Sequence, residues 1–448
     1  MIVYILTYSM IFGHTNFFLG IYGQEEADED KGDDPPTGEA SSDDPFLTDP
    51  DFTIEEIAEG LSRPTTMAFL GPDDILVLEK DNGTIKRILD GRLLDEPVLD
   101  VNVANENERG MLGIATINFT SSATYVYVYF TEAEEEGNDE CSSARHCSDE
   151  SPDPLGNRLY RYEWKYGKLI NPILLLDLPS TPGPAHNGGV IRIGPDGNLY
   201  VGIGEVQGPN AQPKGEMTVD GRSGILRVTP DGQPVGNGIL GNKHPLNFYY
   251  AYGIRNIFGM DFDPVTGKLW DTENGPSYGD EINLVEPGFN SGWRVIQGMK
   301  SEIEDLSQLQ DFSGKGRYSD PELVWGKPVG LTSLKFLDSN KLGDNYLNDL
   351  FVGDVHRGNL YHFELSEDRT RLIPRDSING KIVEDHEAAD DLRFGGNFGG
   401  ITDLEVGPDG YLYVVSYALG KIFRIVPGND NVDISTILTE NQVRDLSN

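Results

Sequence analysis

Basic residues are scarce in this chain of 448 residues. Lysine and arginine number 35 against 74 aspartates and glutamates, which gives a formal net charge of −39. Nucleic acid is excluded as an expected partner, because phosphate binding requires a basic face. The acid excess instead favours solubility, cation binding or a salty medium.

Cysteine is almost absent. The two that occur, Cys141 and Cys147, both lie in a polar insertion at residues 132–154. In an exported chain, this pair predicts a local disulfide that pins an exposed loop. The rival interpretation is a metal site that includes His146, but two sulfurs and one imidazole fall short of a closed zinc shell.

The N-terminus is divided sharply by composition. Residues 1–23 are apolar and aromatic but lack a positively charged start, so an export signal and a retained membrane anchor both stay open. Residues 24–50 hold eleven acidic residues and one lysine, which predicts a disordered tether. We therefore expect a secreted or extracytoplasmic protein, or one tethered at a membrane surface.

Short repeats dominate the rest of the chain. The sequence Ile193–Val201 recurs almost unchanged at Val406–Val414 and in a third version at Phe69–Val77, each with a Gly-Pro-Asp turn between two apolar runs. Weaker copies lie at Met260–Trp270 and Leu334–Val352. Further segments with alternating apolar residues follow most copies, at Thr84–Ile88, Arg158–Tyr162, Gly224–Val228, Asn359–Phe363 and Lys421–Ile425.

Such repeats predict an all-β fold. A unit of three or four short strands cannot bury both of its faces alone, and radial stacking closes a core without exposed edges. With residues 111–162 counted as a degenerate copy, the repeats predict a six-bladed β-propeller over residues 51–430, with a C-terminal tail at 431–448.

The residues that could carry chemistry lie between these repeats. His186 sits on a glycine-bracketed loop directly before a strand, where a general base could reach a cavity. Arg255 and Asn256 pair a fixed cation with an amide donor, which can polarise a carbonyl. The turn at Gly275 and Pro276 is flanked by carboxylates, and such oxygens suit calcium. Taken singly, each feature also has an ordinary structural interpretation. His186 could cap a turn, Arg255 could form a salt bridge, and the turn at Gly275 could be a hydrated acidic turn.

Taken together, these motifs resemble the soluble glucose/sorbosone dehydrogenase family, which depends on pyrroloquinoline quinone (PQQ). The resemblance covers about residues 61–427. Its motifs are Arg63-Pro64, Glu108-Arg109-Gly110-Met111-Leu112-Gly113-Ile114, His186-Asn187-Gly188-Gly189, Gly253-Ile254-Arg255-Asn256, Glu273-Asn274-Gly275-Pro276, Gly279-Asp280-Glu281-Ile282-Asn283 and Asn290-Ser291-Gly292-Trp293.

The resemblance implies an oxidoreductase that oxidises the anomeric hydroxyl of aldoses and passes the electrons to an external acceptor. His186 would be the general base. Arg255 and Asn256 would contact the quinone oxygen, with Glu108 near the same oxygens. A calcium ion on the carbonyls of Gly275 and Pro276 would hold the cofactor.

The chain departs from the family pattern where PQQ carboxylates are anchored. The family has a lysine on the fifth blade and two arginines before the last hairpin. Here those places hold His356, Gly400 and Thr402, and Arg393 is a candidate replacement. Each lost charge-assisted contact costs about 1.5–3 kcal/mol. We still expect His356 and Thr402 to line the cofactor site.

The missing anchors leave two alternatives open. One is a dehydrogenase-like propeller that uses another cofactor, and the other is a non-catalytic extracellular propeller that binds carbohydrate or protein, because a fold does not fix a function. A third class, which fits propellers in general, is a hydrolase that uses calcium-activated water. It is disfavoured because only Asp280 and Glu281 come together on one loop.

Overall fold

The computed structural model describes residues 44–120, 123–134, 152–208, 219–301, 304–373, 375, 378 and 380–428. By compactness the chain divides into Met1–Gly32 and Asp33–Asn448, and all described residues belong to the second unit. The predicted signal or anchor, the cysteine pair and the predicted C-terminal tail lie outside the described residues.

The described residues form strands almost throughout. One short α-helix, α1 (His386–Asp390), and two 3₁₀ turns at Leu246–Phe248 and Leu306–Gln308 are the helical elements among them, and none of these is long and apolar enough to cross a membrane. The strands are β1 (Phe46–Leu47), β2 (Phe52–Ala58), β3 (Pro64–Gly71), β4 (Asp74–Glu79), β5 (Thr84–Leu89), β6 (Arg92–Leu93), β7 (Leu99–Asp100), β8 (Met111–Thr120), β9 (Ala123–Ala133), β10 (Pro154–Lys165), β11 (Lys168–Leu178), β12 (Ile191–Ile193), β13 (Leu199–Ile203), β14 (Gly224–Val228), β15 (Tyr249–Tyr252), β16 (Ile257–Phe262), β17 (Leu269–Glu273), β18 (Asp280–Val285), β19 (Phe289–Asn290), β20 (Arg317–Tyr318), β21 (Leu323–Trp325), β22 (Leu331–Phe336), β23 (Leu350–Asp354), β24 (Leu360–Phe363), β25 (Ile382–Val383), β26 (Arg393–Gly396), β27 (Ile401–Val406), β28 (Leu412–Ser416) and β29 (Lys421–Pro427).

Each predicted repeat is an antiparallel hairpin. The turn between β12 and β13 closes because Asp196 accepts the backbone N–H of Asn198 (3.1 Å) and Gly197 adopts a φ of 74°. The turn between β27 and β28 repeats this geometry with Asp409 and Gly410. Glycine and aspartate supply what such turns need, namely a positive φ and a side-chain acceptor. The predicted hairpins are therefore confirmed.

The strands pair into separate sheets that close a ring. Their orders are β3-β4-β5-β6 with β7 on β5, β11-β10-β9-β8, β12-β13-β14-β15-β19-β20, β16-β17-β18-β21-β25, β1-β26-β24-β23-β22, and β2-β29-β28-β27. The first strand along the chain in each repeat packs against the next in the cyclic order β3, β8, β12, β16, β22, β27 and back to β3. In the last sheet, β2 pairs with β29 and so joins the two ends of the ring.

The hydrophobic core is divided in the same way. Each buried cluster lies between two neighbouring sheets; one, for example, joins Leu76 and Ile85 of the first sheet to Val126 and Val128 of the second. The described residues are thus all-β, with almost no helix, in a β-propeller arrangement, as the repeats predict.

The acidic segment ends earlier than predicted. Residues Phe46–Leu47 form β1 and pair with Gly395 and Gly396 of β26, inside the range predicted to be disordered up to residue 50. The guanidinium of Arg393 lies 5.4 Å from the centre of the Phe46 ring, and Leu47 packs on the neighbouring core. Two apolar residues at the end of the acidic run are enough to add a strand to a sheet edge.

Candidate functional site

A pocket lies where the sheets meet. Its cavity measures about 120 Å³, and each sheet contributes to the wall through its strands or through the loops next to them. Strands β3, β8, β16, β18, β22 and β27, together with loops next to these strands and to β4, β12, β17, β23 and β28, form the wall. The lining residues are Thr65, Thr66, Lys80, Asn107, Glu108, Leu112, Gly188, Val190, Phe258, Asn274, Gly275, Asp280, Pro328, Gly330, Thr332, Val355, His356, Thr402 and Tyr417.

The predicted site residues divide into two groups. Glu108, Gly275, His356 and Thr402 line this pocket. The other four, His186, Arg255, Asn256 and Pro276, are not part of its wall, and the first three are each 1% exposed. The structure therefore brings half of the predicted set to the cavity and places the predicted base behind the surface.

His186 is held by a carboxylate that none of the sequence motifs indicated. Its Nδ1 lies 2.5 Å from Oε1 of Glu205, and both side chains are buried. Because an ionised carboxylate can only accept, this contact assigns the Nδ1 proton and makes Nε2 the basic nitrogen. The pair is thus built to take up a proton at Nε2, with Glu205 compensating the resulting positive charge.

Glu205 could have been found from its position. It follows β13, the second strand of the hairpin that begins just after His186, so both residues return to the same end of the sheet. A Cβ on Gly204 would lie 2.4 Å from the His186 carbonyl oxygen and 2.6 Å from that of Arg255. Glycine at 204 therefore lets the Glu205 backbone pass between these two loops.

Glu108 connects the pocket wall to the buried groups. Its Oε2 accepts the backbone N–H of His186 at 2.6 Å, and both carboxylate oxygens lie 3.2 Å from Nδ2 of Asn256. One carboxylate thus fixes the histidine loop and the asparagine side chain while it faces the cavity. The motifs predicted Glu108 near the cofactor, but nothing in the sequence indicated these two contacts.

Arg255 is locked into the turn that leads to Gly275. Its backbone N–H donates to Glu273 (2.6 Å), its Nη1 donates to the carbonyl of Asn274 (2.9 Å), and its guanidinium lies 5.4 Å from the centre of the Trp293 ring. Burial raises the pKa of Glu273, against the hydrogen bonds that it accepts from Arg255 and Ser291. A role for Arg255 at a ligand stays a prediction.

The predicted calcium turn is held by Asp280. Oδ1 of this buried side chain accepts the N–H of Gly275 (3.0 Å), and Oδ2 accepts those of Val329 and Gly330 (both 2.8 Å) and of Leu331 (3.4 Å). Asp280 thus ties two stretches of the pocket wall together.

A metal at this turn would rely on backbone oxygens. Among the residues described, no three His, Cys, Asp or Glu side chains are grouped to hold a metal ion, so the hydrolase alternative gains no support from them. Carbonyl oxygens are ligands that calcium accepts, and Gly275 lies in the pocket wall. The donor type fits calcium at this turn, with the Asp280 carboxylate already bonded to N–H groups.

His356 is exposed on a loop that a buried carboxylate supports. Asp354, at the end of β23, accepts the N–H of Arg357 and the hydroxyl of Tyr361, each at 2.7 Å. Burial raises the pKa of Asp354 to about 6, against these hydrogen bonds. The position of His356 therefore depends on an aspartate that titrates in a mildly acidic range.

The Asp354→Asn variant should change the pH dependence of stability. Because the folded state raises this pKa, the resulting stabilisation is present below about pH 4 and is lost as the pH rises through about 6; the shift corresponds to about 3 kcal/mol. We expect the free energy of unfolding of the wild type, relative to the variant, to fall by about that amount between pH 4 and pH 7. Denaturant unfolding at several pH values measures it. A pH-independent difference would contradict this, and the exposed Asp338→Asn is the matched control.

Thr402 and Gly400, two of the three departures at the cofactor anchors, have different structural settings. Thr402 donates its hydroxyl to the carbonyl of Pro64 (2.9 Å). Gly400 has a φ of 82°, and an added Cβ would lie 2.8 Å from the carbonyl oxygen of Val355, so an arginine would be strained there. Arg393 pairs with Asp390 and lies over Phe46, outside the pocket wall, so it does not replace the missing cations.

Known proteins share this chain's sequence pattern and fold. An aldose sugar dehydrogenase of Escherichia coli is 23% identical over 390 residues, which cover 84% of this chain and 93% of that protein. Quinoprotein glucose dehydrogenase B of Acinetobacter calcoaceticus is 29% identical over 278 residues, 56% of this chain and 54% of that protein.

A solved structure extends the likeness to the fold. The PQQ-bound form of an aldose sugar dehydrogenase from Streptomyces coelicolor superposes with a TM-score of 0.60 at 24% identity, over 86% of this chain and 99% of that one. The sequence model of the Glucose / Sorbosone dehydrogenase family matches residues 61–424. This match spans the propeller and the pocket, and the chain therefore belongs to the glucose/sorbosone dehydrogenase family, whose members are sugar dehydrogenases.

Proposed function

We propose that this chain oxidises the anomeric hydroxyl of an aldose, with PQQ and calcium in the described pocket and an external electron acceptor. The His186–Glu205 pair beside the pocket carries the proposal, because oxidation of a hydroxyl releases a proton that a base must take. We further propose that each of the six sheets is one blade, which the ring order of their first strands supports.

The pocket wall has the chemistry that PQQ needs. The carboxylates of PQQ require cations and hydrogen-bond donors. The wall offers the Lys80 ammonium, the His356 ring and the side-chain amides of Asn107 and Asn274. When bound, PQQ supplies the two-electron quinone chemistry. The residues present fit the cofactor, although the charge is distributed differently from the family pattern.

The chain's own groups then have separate tasks. His186 receives the proton at Nε2 while Glu205 holds Nδ1–H. Glu108 fixes the histidine loop, and Asp280 fixes the turn whose carbonyls would hold calcium. Burial of His186 and Glu205 preserves the geometry of the base and lowers the dielectric around it.

Secretion, or a tether at a membrane surface, remains part of the proposal. Its support is the apolar residues 1–23 followed by the acidic stretch in the sequence.

Titration of PQQ into the full chain tests this function. With calcium present, we expect calorimetry to show one PQQ per chain with a Kd below about 1 µM, and chelation by EGTA to weaken it. A parallel dye-reduction assay over a panel of aldoses should show turnover.

The same experiment separates the alternative. PQQ binding without turnover of any aldose, or sugar binding without PQQ, would favour the non-catalytic propeller. That alternative is supported by the absence of cations at positions 400 and 402. Failure to bind PQQ at high concentration would overturn the proposed function.

A further inference from the structure

A lysine that no motif marked lies in the pocket wall. Lys80 follows β4 directly, and it lines the cavity although only 6% of the residue is exposed. Its Nζ lies 2.7 Å from Oδ1 of Asp81 and 3.4 Å from the carbonyl oxygen of Asn105. An ammonium has three N–H donors, so one is left for a ligand in the cavity.

Two cations lie at the corner around Lys80. Asp81 also pairs with the exposed Arg63, whose Nη1 lies 2.5 Å from Oδ2. Two cations therefore share one carboxylate in a chain whose formal charge is −39. Burial lowers the pKa of Lys80, and the neighbouring Asp81 carboxylate only partly opposes this shift. Glu108, which also lines the pocket, interacts electrostatically with Lys80, so the two cations face two carboxylates. Recognition of an anion at this corner would therefore depend on a direct hydrogen bond from Lys80.

The backbone of Lys80 is fixed on both sides. Its N–H donates to the carbonyl of Arg63 (3.1 Å), and its carbonyl accepts the N–H of Met111 (2.9 Å). A Cβ on Gly110, whose φ is 134°, would lie 2.4 Å from the Lys80 carbonyl oxygen, so only glycine lets the next loop pack there. Lys80 is thus held in place before any ligand arrives, which limits the entropy lost on binding.

The phenol beside this corner is a second donor. Tyr417 lines the pocket and interacts electrostatically with Asp81 and Arg63. Burial raises the pKa of Tyr417 to about 12, so its hydroxyl stays protonated at neutral pH.

We propose that Lys80 binds a carboxylate of the ligand in this pocket and replaces the cationic anchor absent at positions 400 and 402. The inference rests on the proposed function, because PQQ is the tricarboxylate that the pocket would hold. The Lys80 corner thereby sets the orientation of the anionic edge of the ligand.

Calorimetric titration of PQQ into wild type and Lys80→Met, with calcium present, tests this inference. Loss of a charge-assisted hydrogen bond should raise the Kd of Lys80→Met about 10- to 100-fold. Methionine conserves the volume, and Asp81 keeps Arg63 as a partner, so the melting temperature should change little. Lys421→Met on β29 makes the same charge change, at a residue that pairs with Glu56, and should bind PQQ within about twofold of wild type.

A second variant and a second ligand complete the test. Asp81→Asn frees Lys80 from its carboxylate partner and should tighten PQQ binding several-fold, an effect that a purely structural lysine would not give. Benzene-1,3,5-tricarboxylate serves as a redox-inactive probe of the same anionic chemistry, and its binding should follow the same order among the variants.

The outcomes separate the two proposals. Equal PQQ affinity of wild type, Lys80→Met and Asp81→Asn would overturn the Lys80 inference and leave the proposed function intact. Lysine-dependent binding of the tricarboxylate without PQQ binding would support the anion site and overturn PQQ as its ligand. If wild type binds neither compound, both proposals fail.

Discussion

Replacement of His186 by asparagine is expected to lower kcat for sugar-dependent dye reduction by about 10²- to 10⁴-fold, with little change in PQQ affinity. The reason is the contact between His186 Nδ1 and Glu205, which makes Nε2 the nitrogen that accepts the proton. Because His186 is not part of the pocket wall, its side chain should contribute little to cofactor binding. Reconstitution with PQQ and calcium, followed by steady-state kinetics, measures both quantities.

Asparagine is chosen because the backbone at this position is unusual. His186 has a φ of 62°, in the left-handed region that asparagine adopts more readily than most residues. The substitution should therefore preserve the loop, whose backbone N–H is bonded to Glu108. Glu205→Gln is the companion variant. It keeps the shape but removes the charge that stabilises a protonated His186, so the pH at which activity falls should shift.

The Glu108→Gln variant tests whether Glu108, instead of His186, is the base. Glu108 is the carboxylate in the pocket wall nearest to the His186 loop, and Glu108→Gln keeps a hydrogen-bond acceptor at that place. If His186→Asn retains activity while Glu108→Gln loses it with unchanged PQQ affinity, Glu108 is the base. If His186→Asn unfolds, the histidine is structural, and the loss of activity carries no mechanistic meaning.

The repeats made the fold predictable because each is encoded locally. Turns such as the one at Asp196 and Gly197 carry their own acceptor and their own positive φ, so a short window of sequence specifies a hairpin. Strand β1 was not predictable in this way, because Phe46 and Leu47 pair with a strand about 350 residues further along the chain. Composition alone gave no information about that long-range partner.

The site was less predictable because its contacts cross between sheets. His186 and Glu205 could have been connected through their common hairpin, but Glu108 reaches His186 and Asn256 from another sheet. Lys80 was missed because a lone lysine after a strand reads as a surface charge, and only closure of the ring places it in the pocket. The motifs identified individual residues, but the closed ring of sheets determines which of those residues face the cavity.

Of the variants proposed for this protein, Asp280→Ala should lower the free energy of unfolding at neutral pH the most. Its carboxylate accepts backbone N–H groups from Gly275, Val329, Gly330 and Leu331, and the side chain is fully buried. Alanine leaves these donors without an acceptor, at a cost of about 1–3 kcal/mol for each well-formed bond, so we expect at least about 3 kcal/mol in total. The melting temperature should fall by roughly 5–10 °C. The exposed Asp338→Ala should change it by less than about 2 °C.

The chelator dependence of this loss distinguishes a hydrogen-bonded anchor from a calcium ligand. If Asp280 acts by joining the Gly275 turn to the loop at 329–331, Asp280→Ala melts below wild type in EGTA as well as in calcium. If the carboxylate instead acts through a bound ion, the two proteins melt together once EGTA has removed it. The short contacts to backbone donors favour the first result. That result would mean that calcium at this turn depends on carbonyl oxygens whose positions Asp280 sets.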